Sequence, residues 1–212
     1  MSPSAKILSP RKRLTREESK ALTRRRLIDV GRKHILRDGL GNAVAERIAE
    51  EAGYSRGAFY GNFEDKEDLF LAILLQDQEQ QYSLFRAIFD RNSNPKVLVK
   101  EMRDAFATRV TNGEWVFLQA EFEAGALRSE KMKALYAEMH RHMLREGLEI
   151  ARRLAKAPKV RMLLKPADLM ITMISLSQGL AVNQRLLGND LSESNTRKLI
   201  REIFDQFISV DD

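Results

Sequence analysis

Side chains suited to contacting nucleic acid are concentrated in one short stretch of the sequence, residues 55–66. Arg56 is long enough to hydrogen-bond the edge of a guanine with two donors, or to bind a phosphate. Ser55 can begin a helix and still donate to a phosphate, and the hydroxyl of Tyr60 can do the same. Lys66 offers another phosphate contact at the start of the next helix. These residue types at this spacing favour DNA binding by a short helix.

The same stretch has little bulk on the face that would meet DNA. Gly57 lets the backbone come close, and Ala58 can touch a thymine methyl group. The alternative is a short packing helix in which Phe59 and Tyr60 both fill a core.

Two short helices, residues 43–52 and 55–61, are predicted around this stretch, with a tight turn at Gly53 that needs a positive φ. Such a pair is a helix-turn-helix, whose second helix enters the DNA major groove. Small and apolar side chains would form its core and fasten it to the next helix: Ile48, Ala49, Ala52, Phe59 and Phe63.

Long helices are predicted on either side of this unit. Thr15 can cap the first, Gly31 marks a close contact within it, and Gly39 ends it. Asp65 can cap the helix that follows the unit. That helix starts apolar and runs into Gln-rich, exposed-looking sequence near 76–81.

Beyond residue 90 the pattern is helical throughout, with no alternating strand pattern and no internal repeat. The amphipathic stretches lie near 96–111, 114–127, 130–156, 167–187 and 195–209. We therefore predict an all-α fold. Its predicted divisions are a flexible basic arm at 1–14, a helix-turn-helix DNA-binding domain at 15–63 and a helical ligand-binding and dimerisation domain at 64–212.

The excess of positive charge lies in the first third of the chain. Residues 1–66 carry fifteen Lys and Arg against nine Asp and Glu, which accounts for the whole net charge of +6. This asymmetry favours a polyanionic partner, nucleic acid or a lipid surface, although a solvated basic tail would give the same count.

Several classes of site are excluded or disfavoured. The chain has no cysteine, which rules out disulfides, a thiol nucleophile and a cysteine zinc site. His140 and His142 have poor metal-ligand spacing, and no phosphate loop or nucleophile elbow is present. We expect no metal, no cofactor and no enzymatic activity, in a soluble cytoplasmic protein without a membrane span.

One set of residues spans the helix-turn-helix without any insertion: Leu27-Ile28, Gly39, Ile48-Ala49, Ala52-Gly53-Tyr54-Ser55, Arg56-Gly57-Ala58-Phe59-Tyr60, Phe63 and Lys66-Glu67-Asp68-Leu69. In this pattern residues 27–74 resemble the N-terminal DNA-binding domain of the TetR family of bacterial transcription regulators. The resemblance implies an N-terminal three-helix DNA-binding domain and a helical C-terminal domain.

The sequence departs from that family at three positions. Many members have Thr at the position of Val44, where it caps the second helix and contacts phosphate. Asn42 is expected to take over the cap and is a further candidate DNA-binding residue. Many have a ring at the positions of Gly61 and Asn62, and Asn62 offers an amide for a phosphate or a base edge instead. The basic segment Arg11–Arg26 could compensate by reaching along the backbone or into the minor groove.

The resemblance also implies a homodimer, because one helix-turn-helix reads only a few base pairs of a double-stranded DNA operator. The last two long helices carry apolar stripes that could form a four-helix bundle with a second copy: Leu176, Leu180, Leu187, Leu199, Ile203 and Phe207. The alternative is that these stripes belong to the core of one chain.

An effector pocket is expected between the two domains, lined by aromatic and flexible apolar side chains with few polar anchors. The candidate ligand-binding residues are Phe106, Trp115, Gln119, Phe122, Tyr136, Met139 and Met170. The wider set adds Met102, Phe117, Met132, Met143, Glu123 and His140. Ordinary core packing is the alternative for all of these apolar residues.

The leading hypothesis is a nucleoid-associated transcriptional regulator, most simply a repressor that a small, largely apolar ligand releases from a near-palindromic operator by shifting the fourth helix. One alternative is a DNA-organising protein with weak sequence preference and no effector. Another is an enzyme with a site in the helical body. A membrane-surface binder is disfavoured because the basic helix lacks an apolar face.

Overall fold

Nine α-helices follow one another along residues 15–211, the part of the chain that the computed structural model describes. The helices are α1 (Arg16–Asn42), α2 (Ala45–Glu51), α3 (Arg56–Tyr60), α4 (Lys66–Arg91), α5 (Pro95–Val110), α6 (Gly113–Ala126), α7 (Glu130–Ala155), α8 (Pro166–Leu187) and α9 (Glu193–Phe207). The predicted all-α class is confirmed. The predicted basic arm, residues 1–14, lies outside the described residues. Within 15–211 no helix is both long and apolar enough to cross a membrane.

Side-chain caps set the starts of the helices at the N-terminal end. Thr15 and Glu18 form a reciprocal capping box, in which the Thr15 hydroxyl accepts from the Glu18 amide at 3.1 Å and the Glu18 carboxylate accepts from the Thr15 amide at 2.7 Å. The Asp65 carboxylate accepts from the Asp68 amide at 2.9 Å and begins α4 as predicted. These bonds satisfy amides that have no partner inside a helix.

The end of α1 differs from the prediction. Gly39 leaves helical geometry with φ +76°, but the helix resumes for a short turn and ends at Asn42. The expectation that Asn42 caps α2 is wrong: its side-chain amide donates back to the Asp38 carbonyl at 2.9 Å. Val44 occupies the cap position without a side-chain hydrogen bond, because an apolar side chain has no acceptor to offer.

Two short strands are present, although no alternating strand pattern marks them in the sequence. β1 (Val160–Met162) pairs antiparallel with β2 (Ile208–Val210), with Arg161 opposite Ser209. A 3₁₀ helix (Gly188–Leu191) links α8 to α9. The strands escape a sequence pattern search because each has three residues and its partner lies far away in the chain.

One buried cluster joins the helix-turn-helix to the rest of the chain. It contains the predicted core residues Ile48, Ala49, Ala52, Phe59 and Phe63, together with Leu118 and Phe122 of α6 and Met132 and Met139 of α7. A second cluster joins α4, α5, α7, α8 and α9. The helix-turn-helix therefore shares one core with α6 and α7, and α1 contacts α6 directly. The boundary at residue 63 stays a prediction.

The Gln-rich segment near 76–81 is partly buried, contrary to the expectation of an exposed surface. Asp77 and Gln78 are both buried, whereas Glu79 and Gln80 are exposed. Asp77 tolerates burial because two nitrogens of the Arg32 guanidinium on α1 donate to its carboxylate.

Candidate DNA-binding surface and ligand cavity

The short helix α3 presents polar side chains outward from a buried base. The Ser55 hydroxyl accepts from the Ala58 amide at 3.2 Å and caps the helix, while Phe59 is fully buried. Arg56 and Gly57 are exposed, and Tyr60 is 44% exposed. The alternative in which Tyr60 fills a core is therefore wrong.

An acidic side chain lies among these polar groups. Glu46 of α2 accepts from the Tyr60 hydroxyl at 3.5 Å, and the same carboxylate oxygen lies 3.2 Å from Nε of Arg56. The Arg56 guanidinium also lies over the Tyr60 ring, 5.4 Å from its centroid. Sequence reasoning missed Glu46, although its place on the outward face of the preceding helix was a usable signal.

Two predicted phosphate contacts are occupied within the chain. Nζ of Lys66 donates to the carbonyls of Gly41 at 3.0 Å and Ala43 at 3.3 Å, at the junction of α1 and α2. The Asn62 side chain donates to the Ala58 carbonyl at 2.8 Å. These contacts satisfy carbonyls at helix ends, so both side chains brace the unit in the free protein.

Basic residues of α1 adjoin the end of α3. The Arg24 guanidinium donates to the Asn62 carbonyl at 2.6 Å and lies over the Phe63 ring, 4.3 Å from its centroid. Arg16, Lys20, Arg25 and Arg26 are exposed on the same helix. Within the predicted basic segment Arg11–Arg26, residues 11–14 lie outside the described residues.

An ion pair ties the start of α4 to α7. Lys131 donates to the Asp65 carboxylate. Burial alone would raise the pKa of Asp65, but the hydrogen bonds from Lys131 and from the Asp68 amide outweigh it, and the pKa lies below its ordinary value. The beginning of α4 is thus held to both the helix-turn-helix and the C-terminal body.

A cavity of about 110 Å³ lies among α4, α5, α6, α7 and α8. Four of the seven candidate ligand-binding residues line it: Phe106, Trp115, Gln119 and Met170. From the wider set, Glu123 and Met143 line it as well. The cavity combines a mainly apolar wall with a few polar groups, as small-molecule sites generally do.

The other three candidates, Phe122, Tyr136 and Met139, do not line this cavity. Phe122 and Met139 are buried in the cluster that includes the helix-turn-helix, and Tyr136 packs against that cluster. The reason is helical register. Trp115, Gln119 and Glu123 are spaced by four along one face of α6, whereas Phe122 lies on the face toward α4, 5.2 Å from the Phe70 ring.

Sequence reasoning missed the most polar part of the cavity. Arg109 lines it, with its guanidinium 3.5 Å from the centroid of the Trp115 ring. Burial lowers the pKa of Arg109 to about 10. Three glutamines, Gln78, Gln81 and Gln178, line the cavity too, and each has a buried side-chain nitrogen without a hydrogen-bond partner among the described residues. Phe106 lies three residues before Arg109 on the same helix, and this helical spacing was a signal of burial that the charge of Arg109 obscured.

The comparisons with known proteins bear on the N-terminal unit. Residues 27–73 match the model of a family described as bacterial regulatory proteins, tetR family. The N-terminal unit is therefore that of the TetR family. The match covers α2 and α3 entirely, together with the second half of α1 and the start of α4.

A TetR-family assignment agrees with the relatives and the fold. The HTH-type transcriptional repressor Rv1474c of Mycobacterium tuberculosis is 26% identical over 145 residues, which cover 68% of this chain and 73% of that protein. A putative TetR-family regulator from Rhodococcus sp. has the same fold, with a TM-score of 0.74 at 18% identity over 89% of this chain and all of that one. A putative regulator from Saccharomonospora viridis, solved in complex with choline, gives a TM-score of 0.68 at 18% identity over 92% of this chain and all of that one.

TetR-family regulators bind DNA operators as dimers. In this chain an apolar face is exposed on α8 and α9. Between Leu169 and Gln184 the sequence of α8 has no charged residue. Three of the six predicted interface residues, Leu176, Leu187 and Leu199, are exposed. The other three, Leu180, Ile203 and Phe207, are partly buried, and Leu180 and Phe207 pack against clusters of their own chain.

Proposed function

We propose that this chain is a homodimeric TetR-family repressor that binds a near-palindromic operator and leaves it when a small ligand fills the cavity. The observation that carries the proposal is the exposure of Arg56 and Tyr60 on α3, beside the basic face of α1. Ser55, Gly57 and Ala58 complete the proposed DNA-facing surface. We place its action in the cytoplasm, on the bacterial chromosome.

We propose α8 and α9 as the dimer interface. Exposed leucines on a helix with almost no charge support this, because such a face is stabilised by burial against a second copy. Two α8–α9 pairs would form a four-helix bundle related by a twofold axis. The two copies of α3 would then read half-sites about 34 Å apart.

Two direct contacts support a route from the cavity to the helix-turn-helix. Helix α4 carries Gln78 and Gln81 into the cavity lining, and its Asp77 binds Arg32 of α1. Helix α6 also lines the cavity, and its Glu121 accepts from the Leu40 amide at 2.9 Å, next to the kink in α1. A ligand that favours a shifted arrangement of α4 and α6 would therefore move the two α3 helices of the dimer and weaken DNA binding.

The test begins with selection of DNA from a random pool by the purified protein. The selected DNA is then titrated with the Arg56→Ala and Tyr60→Ala variants, and with Arg145→Ala on the exposed face of α7 as the matched control. We expect a near-palindromic winner, and a loss of roughly tenfold or more in affinity for Arg56→Ala, because a base or phosphate contact of arginine contributes about 1–3 kcal/mol. Circular dichroism checks that each variant stays folded.

The possible outcomes separate the candidate functions. Equal affinity of both α3 variants and the control for the operator would reject the assigned contacts. Equal binding to all DNA with a steep salt dependence would reject the repressor and favour the DNA-organising alternative. A turnover of a bound small molecule would favour the enzyme alternative.

A further inference from the structure

The polar groups of the cavity are mostly donors without acceptors. Gln78 is only 3% exposed, and within residues 15–211 neither its amide nitrogen nor its amide oxygen has a hydrogen-bond partner. In the same part of the chain the side-chain nitrogens of Gln81 and Gln178 are buried without partners as well. Buried polar groups in folded proteins are almost always paired, so a cluster of unpaired ones at a cavity indicates that something else completes them.

Arg109 adds a charge to this donor-rich lining. Along residues 15–211 its guanidinium makes no hydrogen bond and no ion pair, and its contact is the face of Trp115. Its pKa of about 10 means that it stays charged near neutral pH. The nearby carboxylate of Asp77 is engaged by Arg32. Arg109 is partly buried, and burying part of a cation without a paired anion is costly, so an anionic ligand would reduce that cost.

The two ends of the cavity differ in charge. Trp115, beneath Arg109, and Glu123 both line it from α6, and eight residues of helix separate them by about 12 Å. The Glu123 carboxylate, which accepts from Gln119 at 3.1 Å, would repel an anion at its own end. An anionic group is therefore favoured at the Arg109 end, with the apolar part of the ligand toward Phe106, Met143 and Met170.

We infer that the cavity binds a small organic monocarboxylic acid, whose carboxylate pairs with Arg109 and accepts from the neighbouring glutamine amides, and whose apolar body fills the remaining space. This inference rests on the proposed function, because it names the ligand class of the proposed effector site. The volume of about 110 Å³ suits one ring or a short aliphatic chain, since an apolar cavity of about 150 Å³ holds benzene. The earlier expectation of a largely apolar ligand is thereby narrowed to an amphipathic anion.

Trp115 provides a direct readout, because it is the only tryptophan in the chain. The full-length protein is titrated at pH 7.5 with benzoate, phenylacetate, 3-phenylpropionate and hexanoate. It is also titrated with analogues of each acid in which an amide or an amine replaces the carboxylate. Trp115 fluorescence and calorimetry report binding. We expect at least one acid to bind ten times more tightly than its amide, and more tightly than its amine.

The variants assign that preference to a residue. Arg109→Met keeps a long apolar side chain and is expected to abolish the preference for acid over amide, whereas Arg145→Met on the surface of α7 serves as the matched control and should retain it. Arg109→Lys keeps the charge and should show a reduced preference. If no acid of the panel exceeds its amide tenfold, including the case in which nothing binds, or if Arg109→Met retains the preference, the inference is wrong. The affinities of the wild-type protein for acids and amides already test the ligand class. The proposal can therefore be rejected even if a variant fails to fold.

Operator binding measured on the same preparation separates this inference from the proposed function. Selection of a near-palindromic operator without a preference for acids would support the repressor proposal and reject the ligand class. Binding of an acid through Arg109 without selection of a DNA sequence would reject the repressor proposal and support the assignment of the cavity.

Discussion

Glu46 places a carboxylate between two side chains that we propose contact DNA. It pairs with Arg56 and accepts from the Tyr60 hydroxyl, so both donors are held in place before DNA arrives. The same carboxylate would face the phosphates of a bound duplex and would have to give up Arg56. Glu46 therefore orders the reading side chains at a cost in DNA affinity.

Glu46→Gln should tighten operator binding by about fivefold. The substitution removes one negative charge and one exposed ion pair, worth about 1 kcal/mol at most, while the amide oxygen can still accept from Tyr60. The measurement is a titration of the selected operator, with Glu149→Gln on the exposed surface of α7 as a control of equal charge change. Weaker binding by Glu46→Gln would instead indicate that the carboxylate reads a cytosine amino group.

At the scale of single elements, the sequence predicts what is encoded locally. The caps at Thr15, Ser55 and Asp65 could be read because a capping residue acts on amides within its own next turn. The two strands could not, because Arg161 and its partner Ser209 are far apart in the chain.

The candidate site also has one part that the sequence predicts and one part that it does not. The exposed side chains of α3 follow from its short length and cap, so most of the proposed DNA-facing surface could be listed in advance. The cavity could not, because its lining depends on how five helices pack. Arg109 and Gln78 are residue types usually found at the surface, but tertiary packing buries Gln78 and partly buries Arg109.

The crossing of α1 with α4 depends on Gly31. A Cβ at this position would lie 2.6 Å from Cδ2 of Leu69, which is itself fully buried. Gly31→Ala gains about 1 kcal/mol of helix propensity but overpacks the crossing by about 1–3 kcal/mol, so we expect a net loss of stability of about 1 kcal/mol.

Gly41→Ala is the matched control, because a Cβ there meets no atom of the described residues within 4 Å. We expect that variant to be as stable as the wild type or slightly more so. Urea unfolding followed by circular dichroism measures both. Equal midpoints for the two variants would show that Leu69 moves aside without cost and that the crossing tolerates a methyl group.

At the scale of the whole molecule, the proposed repressor works only as a pair. One α3 helix makes few contacts with DNA. Once it is bound, the α3 helix of the second copy binds the other half-site at a high effective concentration. The exposed apolar face of α8 and α9 is therefore central to affinity, although it lies on different helices from the proposed DNA contacts. Loss of the dimer should weaken operator binding without altering any residue that faces DNA.

Leu187→Arg tests this link, because Leu187 is 52% exposed at the end of α8. An unpaired charge buried in an interface costs several kcal/mol, so we expect the dimer to weaken by about a hundredfold or more and the protein to sediment as a 24.3 kDa monomer at micromolar concentration. Operator affinity should fall in parallel. Leu127→Arg, at an 89% exposed position after α6, introduces the same charge outside the proposed interface and should remain dimeric. If the Leu187→Arg protein stays dimeric, the interface lies elsewhere on the chain. If it is a monomer with full operator affinity, a single helix-turn-helix is sufficient for binding.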